Sequence, residues 1–161
     1  MSETMMDPDN FRRILSRFAS GIAIITARDG ERDVGMTVSA FCSVSLSPPL
    51  VLVCVDHNAS MHQLLLGHPM LGINVMACDN EAHCRRFADK RETHRFEGVA
   101  CTRGETSVLL LDDAVAYLEC QLVHHCDAGD HTIFIAEAKR GATRDGRPLV
   151  YYCGQYAQLA M

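Results

Sequence analysis

The segment from Met36 to Leu50, MTVSAFCSVSLSPPL, alternates small hydroxyl residues with apolar ones and closes on Pro48-Pro49. Alternation with a period of two places successive side chains on opposite faces of a strand. Thr37, Ser39, Ser43 and Ser45 are therefore expected on one face, where hydroxyls and backbone groups can meet the edge of a heteroaromatic ring. By periodicity alone the same stretch is also a half-buried strand whose hydroxyls face water. Downstream, Asp56-His57-Asn58-Ala59-Ser60 precedes an apolar helical pattern. Ser60 at a helix start brings free backbone N–H groups that attract an anion, or serves as a plain cap.

Other chemistry is poorly supported. No GxGxxG follows a strand, no GxxxxGK[ST] occurs, and GxSxG is missing, which leaves dinucleotide-fold, P-loop and serine-hydrolase readings without a motif. His83-Cys84 near Cys78, and His124-His125-Cys126-Asp127 before Asp130-His131, invite a metal. Adjacent strand residues diverge, however, so neither grouping has ligand spacing.

The elements that must position these residues follow from pattern. Asp7 and Pro8 open a helix carrying Phe11, Ile14, Leu15 and Phe18 at i, i+3, i+4, i+7, and Gly21 suits its end. Ile22 to Ala27 and Val34 to Ser45 flank the turn Arg28 to Glu31 as a hairpin. Leu50 to Val55 is almost wholly apolar, as expected of a strand buried on both faces. Ser60 to Leu66 is a short helix, Leu71 to Ala77 a strand, and Asn80 caps a helix with Cys84 and Phe87. Asp89 to Arg95, DKRETHR, reads as a solvated loop. Val108 to Leu110, Ala114 to Cys126, His131 to Lys139 and Leu149 to Tyr152 complete the strands, with turns at Asp127–Asp130 and Asp145-Gly146. Many short strands with few helices predict a mainly β fold, an antiparallel barrel with flanking helices, because closure removes exposed edges.

The chain has 161 residues, the size of one domain, with 48% hydrophobic and 22% charged residues. A net charge of −5 without a basic run argues against a nucleic-acid surface. Apolar runs of about seven residues are far short of the roughly 20 a membrane helix needs. The opening MSETMMDPDN has no secretory character, and the eight cysteines form no CxxC pair, which together predict a reduced, cytoplasmic protein.

The blocks FRRxLSRFASGIAIITA, MTVSAFxSVSLSPPLVLVCV, DHNASM and AGDHTIF together resemble the small flavin reductases that feed reduced flavin to monooxygenase partners, over about Phe11 to Tyr156. The resemblance implies an FMN-binding split β-barrel, a homodimer with FMN or FAD between subunits, NADH or NADPH as hydride donor, and a separate monooxygenase receiving the product. It also implies that Thr37, Val38, Ser39 and Ala40, continued by Ser43 and Ser45, line the isoalloxazine. Asp56, His57, Asn58, Ala59 and Ser60 would handle the ribityl and phosphate end. By the same resemblance Arg85 and Phe87 match a helix end near the flavin, Asn74 is a further candidate on its strand, and Tyr152 and Tyr156 are candidates in a tail that departs from the family pattern. His131 falls on the nicotinamide side. Cys153 and Gln155 stand where the family pattern has cations. A non-catalytic flavin- or haem-binding module and a split-barrel flavin oxidase remain alternatives on the same fold.

Overall fold

The computed structural model describes residues 6–160. Residues 1–5, half of the opening segment discussed above, and residue 161 lie outside them. In chain order the elements are α1 (Pro8–Leu15), β1 (Ser20–Gly21), β2 (Ala23–Asp29), β3 (Arg32–Val38), β4 (Phe41–Leu46), β5 (Pro49–Asp56), α2 (Ser60–Gly67) and β6 (Met70–Met76). A 3-10 turn (Cys78–Asn80) and α3 (Glu81–Ala88) follow, then β7 (Cys101–Arg103), β8 (Leu109–Leu111), β9 (Ala114–Ala128), β10 (His131–Thr143), β11 (Leu149–Tyr152) and β12 (Gln155–Gln158).

Seven strands form one antiparallel sheet in the order β3-β2-β6-β9-β10-β5-β4, flanked by a three-stranded sheet β1-β11-β12 and the pair β7-β8. β3 and β4 are neighbours in sequence yet lie at the two ends of that order, joined only by Ser39 and Ala40. The three steps from Val38 to Phe41 span at most about 10 Å, so the sheet must curl until its two ends approach each other. The Cys54 amide donates to the Ala40 carbonyl at 3.0 Å, tying the junction to β5. The strand expected to run unbroken from Val34 to Ser45 is thus two strands, and a β-bulge between Ser43 and Ser45 further shifts the register. Thr37, Ser39, Ser43 and Ser45 do not share one face.

Two cores lie on either side of β2. Ala23, Ile25 and Ala27 join Val51, Val53, Val55, Ile73, Phe134 and, from α2, Met61 and Leu65. Ile22 and Ile24 face Met76, Leu111, Leu149 and the α3 residues Cys84 and Phe87. Gly35 lets α3 approach, since a Cβ there would come within 2.7 Å of the Phe87 ring. The strands buried on both faces are β2 and β6, whereas β5 buries only Val51, Val53 and Val55 and leaves Leu52 and Cys54 half-exposed. Periodicity could not distinguish them, because what covers a strand's second face is a tertiary matter.

Several boundaries differ from expectation. α1 ends at Leu15 with Ser16 as C-cap, its hydroxyl donating to the Arg13 carbonyl, while Gly21 belongs to β1. α1 buries none of its residues: Phe11, Ile14 and Leu15 are about half exposed and Phe18 is 78% exposed. β9 and β10 form a ribbon of 15 and 13 residues, longer than the pattern indicated.

Candidate functional site

The hydroxyl-rich strand and the loop after β5 meet in space. Met36 and Thr37 of β3, Asn58, Ala59 and Ser60 at the start of α2, and Phe87 at the end of α3 surround a cavity of about 400 Å³ that Lys90 and Arg95 close. The loop shape is local chemistry. The Asp56 carboxylate accepts the Asn58 amide at 2.7 Å and the Asp56 carbonyl accepts that of Ala59 at 2.9 Å. The Asn58 amide also holds the Asp56 carboxyl below the ordinary carboxylate range. Asp56 therefore builds the loop. The N-cap of α2 is Ala59, not Ser60, and no side chain caps it. Ser60 occupies the first helical position, so the helix start keeps N–H groups that no side chain satisfies.

Arg95 donates from both terminal nitrogens, to the carbonyls of Gly35 (2.8 Å) and Asp89 (2.8 Å), while its buried Nε has no partner among the described residues. The segment Asp89 to Arg95 is thus no free loop, since its last residue is tied into β3 beside the cavity. Lys90 and Arg95 were not foreseen as site residues. In sequence, DKRETHR carries only the signature of a solvated loop, and the contact of Arg95 with Gly35 spans 60 positions. An uncapped helix start, a hydroxyl and two cations make an anion site. A flavin phosphate fits that donor set.

A second, larger cavity of about 680 Å³ lies along Ser39, Ala40, Phe41, Cys42, Leu52 and Cys54, with Leu15, Phe18 and Tyr151 on its other side. Its walls are largely apolar and its Ser39–Ala40 edge offers backbone polar groups, the environment a flat heteroaromatic ring requires. Phe18, on the rim of this cavity, and Leu46 at the end of β4 are large apolar side chains left exposed, Leu46 at 94%.

The remaining candidates divide. Val38 is in the core, and Thr37 donates its hydroxyl to the Cys84 carbonyl at 2.7 Å, which still leaves its oxygen free to accept. Ser43 and Ser45 lie on β4, beyond both cavities. Asn74 is fully buried: its amide donates to the Ile24 carbonyl (3.0 Å) and its oxygen accepts the Leu111 amide (2.8 Å). It is a structural clasp, not a ligand contact. Arg85 pairs with Glu81 and sits 4.8 Å over the Tyr156 ring, and Arg86 donates to the Glu97 carbonyl, so neither lines the cavity. Tyr152 is exposed and accepts from Arg17, while its neighbour Tyr151 faces the larger cavity. Tyr156 packs edge-on against Tyr151.

His131 begins β10 opposite Asp56 of β5, at the sheet end from which the 56–60 loop departs. It lines neither cavity. Its Nδ1 lies 2.7 Å from the Asp130 carboxylate and donates to it, which leaves Nε2 of the neutral ring to accept. Behind it, the Thr132 hydroxyl donates to Asp127 (2.7 Å), so the buried His62 must donate to Thr132 from Nε2 (2.7 Å). His57 turns toward Asp127 at 3.6 Å and toward His62, away from the cavity. All eight cysteines are free; Cys78, Cys84 and Cys120 are buried, and burial pushes the Cys84 and Cys120 thiols up to about 12. Cys54 and Cys101 are half-buried, and Cys42, Cys126 and Cys153 are exposed.

A fold of this curled antiparallel type with an anion site beside a flat apolar cleft defines a nucleotide-cofactor protein of the split-barrel class. The flavin reductase like domain model matches residues 15–160, and the chain belongs to that family. The FMN reductase (NADH) SmoA of Agrobacterium fabrum is 34% identical over 94% of this chain and 86% of its own length. The reductase component of the FADH(2)-dependent resorcinol hydroxylase of Rhizobium sp. is 36% identical over 91% of this chain and 84% of its own. Among solved structures, the Streptomyces globisporus NADH:FAD oxidoreductase SgcE6 in complex with NAD and FAD fragments superposes with a TM-score of 0.90 at 35% identity. That match covers 98% of this chain and 97% of the other.

Proposed function

We propose that this chain is an NADH-dependent flavin reductase that delivers reduced flavin to a separate monooxygenase, and that it works as a cytoplasmic homodimer built from one flavin reductase-like domain per chain. The observation that carries the reading is the convergence of Thr37, Ser60, Lys90 and Arg95 on one cavity, next to the apolar cleft along Ser39 to Cys42. The relatives supply the chemistry: they are named for NADH and for FMN or FAD, and one is the reductase half of a hydroxylase.

When bound, the flavin accepts hydride from the reduced nicotinamide and carries the electron pair away. The protein's part is position. Ser60, the α2 amides, Lys90 and Arg95 hold the phosphate, and Thr37 offers an acceptor along β3. The Ser39–Ala40 backbone would border the ring, and Phe41, Leu52 and Cys54 would offer it an apolar seat. His131, oriented by Asp130, presents Nε2 to the nicotinamide nucleotide as an orienting contact; the hydride step itself needs no protein acid or base.

Dimerisation is supported by the exposed apolar residues of α1 and by Phe18, of which Leu15 and Phe18 line the open cleft. Free thiols at every cysteine suit the reducing cytoplasm, where NADH is also supplied.

The deciding experiment follows 340 nm absorbance with NADH, with and without added flavin, beside light scattering. Flavin-dependent NADH loss and a particle twice 17.8 kDa are expected. Bound flavin that NADH does not reduce would overturn the reductase reading in favour of a carrier, and an active monomer would overturn the shared site.

A further inference from the structure

The first turn of α2 and the β9–β10 turn are joined by side chains that line neither the 400 Å³ nor the 680 Å³ cavity. His62, the third residue of α2, is buried, and its Nε2 lies 2.7 Å from the Thr132 hydroxyl. Thr132 is wholly buried beside His131 in β10, and its hydroxyl donates to Asp127 at 2.7 Å. That bond holds the Asp127 carboxyl below its ordinary range, so at neutral pH the group is a carboxylate and only accepts. Donation therefore runs one way, from His62 through Thr132 to Asp127. The Asp130 carbonyl also accepts the His57 amide at 3.0 Å, which fixes the 56–60 loop to the same turn.

Each end of this line carries a group of the proposed site. Ser60 lies two residues before His62, and Asp130, which orients His131, lies three after Asp127. Successive strand residues point to opposite faces, so Thr132 faces away from the side of the sheet that His131 shares with Leu52 and Cys54, the wall of the larger cavity. A buried hydroxyl that both accepts and donates is fixed in rotation, and it sets the helix start and the turn in one relative position. We propose that Thr132, supported by His62, is a positioning residue that aligns the phosphate-holding start of α2 with the turn that carries His131. The inference rests on the reading above that Ser60 and His131 serve one flavin and nicotinamide site.

The test compares Thr132→Val, which keeps a β-branched side chain but ends both hydrogen bonds, with Thr132→Ser, which keeps the hydroxyl. His62→Phe keeps a buried ring and ends only the bond from α2. The whole protein is titrated with FMN and with FAD, and KM and kcat for NADH are measured at saturating flavin, well below each melting transition. Thr132→Val should weaken flavin binding roughly threefold to tenfold and raise the KM for NADH by a similar factor, while Thr132→Ser should restore both to within about twofold. His62→Phe should weaken flavin as much but leave the KM for NADH within about twofold, because the Thr132–Asp127 bond remains. Variants that melt earlier yet bind flavin and NADH as the native chain does would overturn the inference and leave the network a matter of stability alone. A serine variant no better than the valine variant would overturn it as well. If Thr132→Val does not fold, His62→Phe decides: weakened flavin with unchanged KM for NADH supports the inference, and native flavin affinity overturns it. If the native chain binds neither flavin, the underlying reading fails and takes this inference with it.

Discussion

Replacing Asn74 with alanine removes both halves of a buried clasp at once. The Leu111 N–H loses its only side-chain acceptor, at 2.8 Å, and the Ile24 carbonyl loses a donor at 3.0 Å, on strands where Asn74 itself has no exposure. Leaving a buried polar group unpaired costs about 1–3 kcal/mol, more for an N–H with one bond to give than for a carbonyl with two lone pairs. The Ile24 carbonyl is the cheaper of the two, so the sum for Asn74→Ala is about 2–4 kcal/mol. In a chain of this size each kcal/mol moves the melting temperature by about 2–4 °C, which predicts a drop of roughly 4–16 °C. Asn74→Asp should behave differently: its carboxylate can still accept from Leu111 but faces the Ile24 carbonyl with no proton to give unless it is protonated, so its instability should ease as pH falls. The assay is thermal unfolding followed by circular dichroism, with flavin titration well below the transition. A melting temperature within about 1 °C of the native protein would refute the clasp. Lost flavin affinity in a fully folded variant would instead return Asn74 to the binding site.

Four further outcomes follow from the geometry. Ser60→Asp places a carboxylate at the first helical position of α2, where it favours the helix but repels a phosphate; flavin affinity should fall roughly tenfold or more with the melting temperature unchanged or raised, and unchanged affinity in titration would reject the phosphate site. His131→Ala should raise the KM for NADH and lower turnover, together about tenfold to a hundredfold in efficiency, with flavin affinity little altered, as steady-state kinetics with each substrate varied will show. Burial pushes the Glu119 carboxyl up, but bonds from the Thr106 amide and hydroxyl and the Glu105 amide outweigh it and hold its folded value below normal. Its contribution to stability is therefore complete above the unfolded value near 4.5 and lost as pH falls through the lower folded value; Glu119→Gln should flatten that acid limb in urea melts. Cys153 and Gly154 both have positive φ, at 50° and 75°, in the β11–β12 turn, so Cys153→Asn should supply the favoured Asn-Gly pair and raise the melting temperature by roughly 2–4 °C in calorimetry.

Much of this arrangement is legible in the residues. The β2–β3 turn, the Asp56–Ser60 loop and the buried Cys84 and Phe87 of α3 follow from local pattern, because turn chemistry and helical periodicity act over a few positions. What the pattern hid depends on contacts far apart in the chain. Lys90 and Arg95 matter only because β3 passes beside them, and Arg85, the more conspicuous cation, is drawn off by Glu81 and Tyr156. The break at Ser39–Ala40 follows from the curl of the whole sheet, which no window of sequence contains. Asn74 looks alike in sequence whether it meets a ligand or clasps two strands.

The two-residue join between β3 and β4 also bears on how the protein reaches its native state. The β2–β3 and β4–β5 hairpins are local and can form within microseconds, but β2 meets β6, and β5 meets β10, only across long stretches of chain whose closure is slow. The β3–β4 junction at Ser39 and Ala40 reaches its final geometry only when the hairpins on either side of it are both docked into the sheet. If flavin binds at that edge as proposed, flavin added during refolding should leave the early rate constants unchanged while slowing the subsequent unfolding of the finished protein.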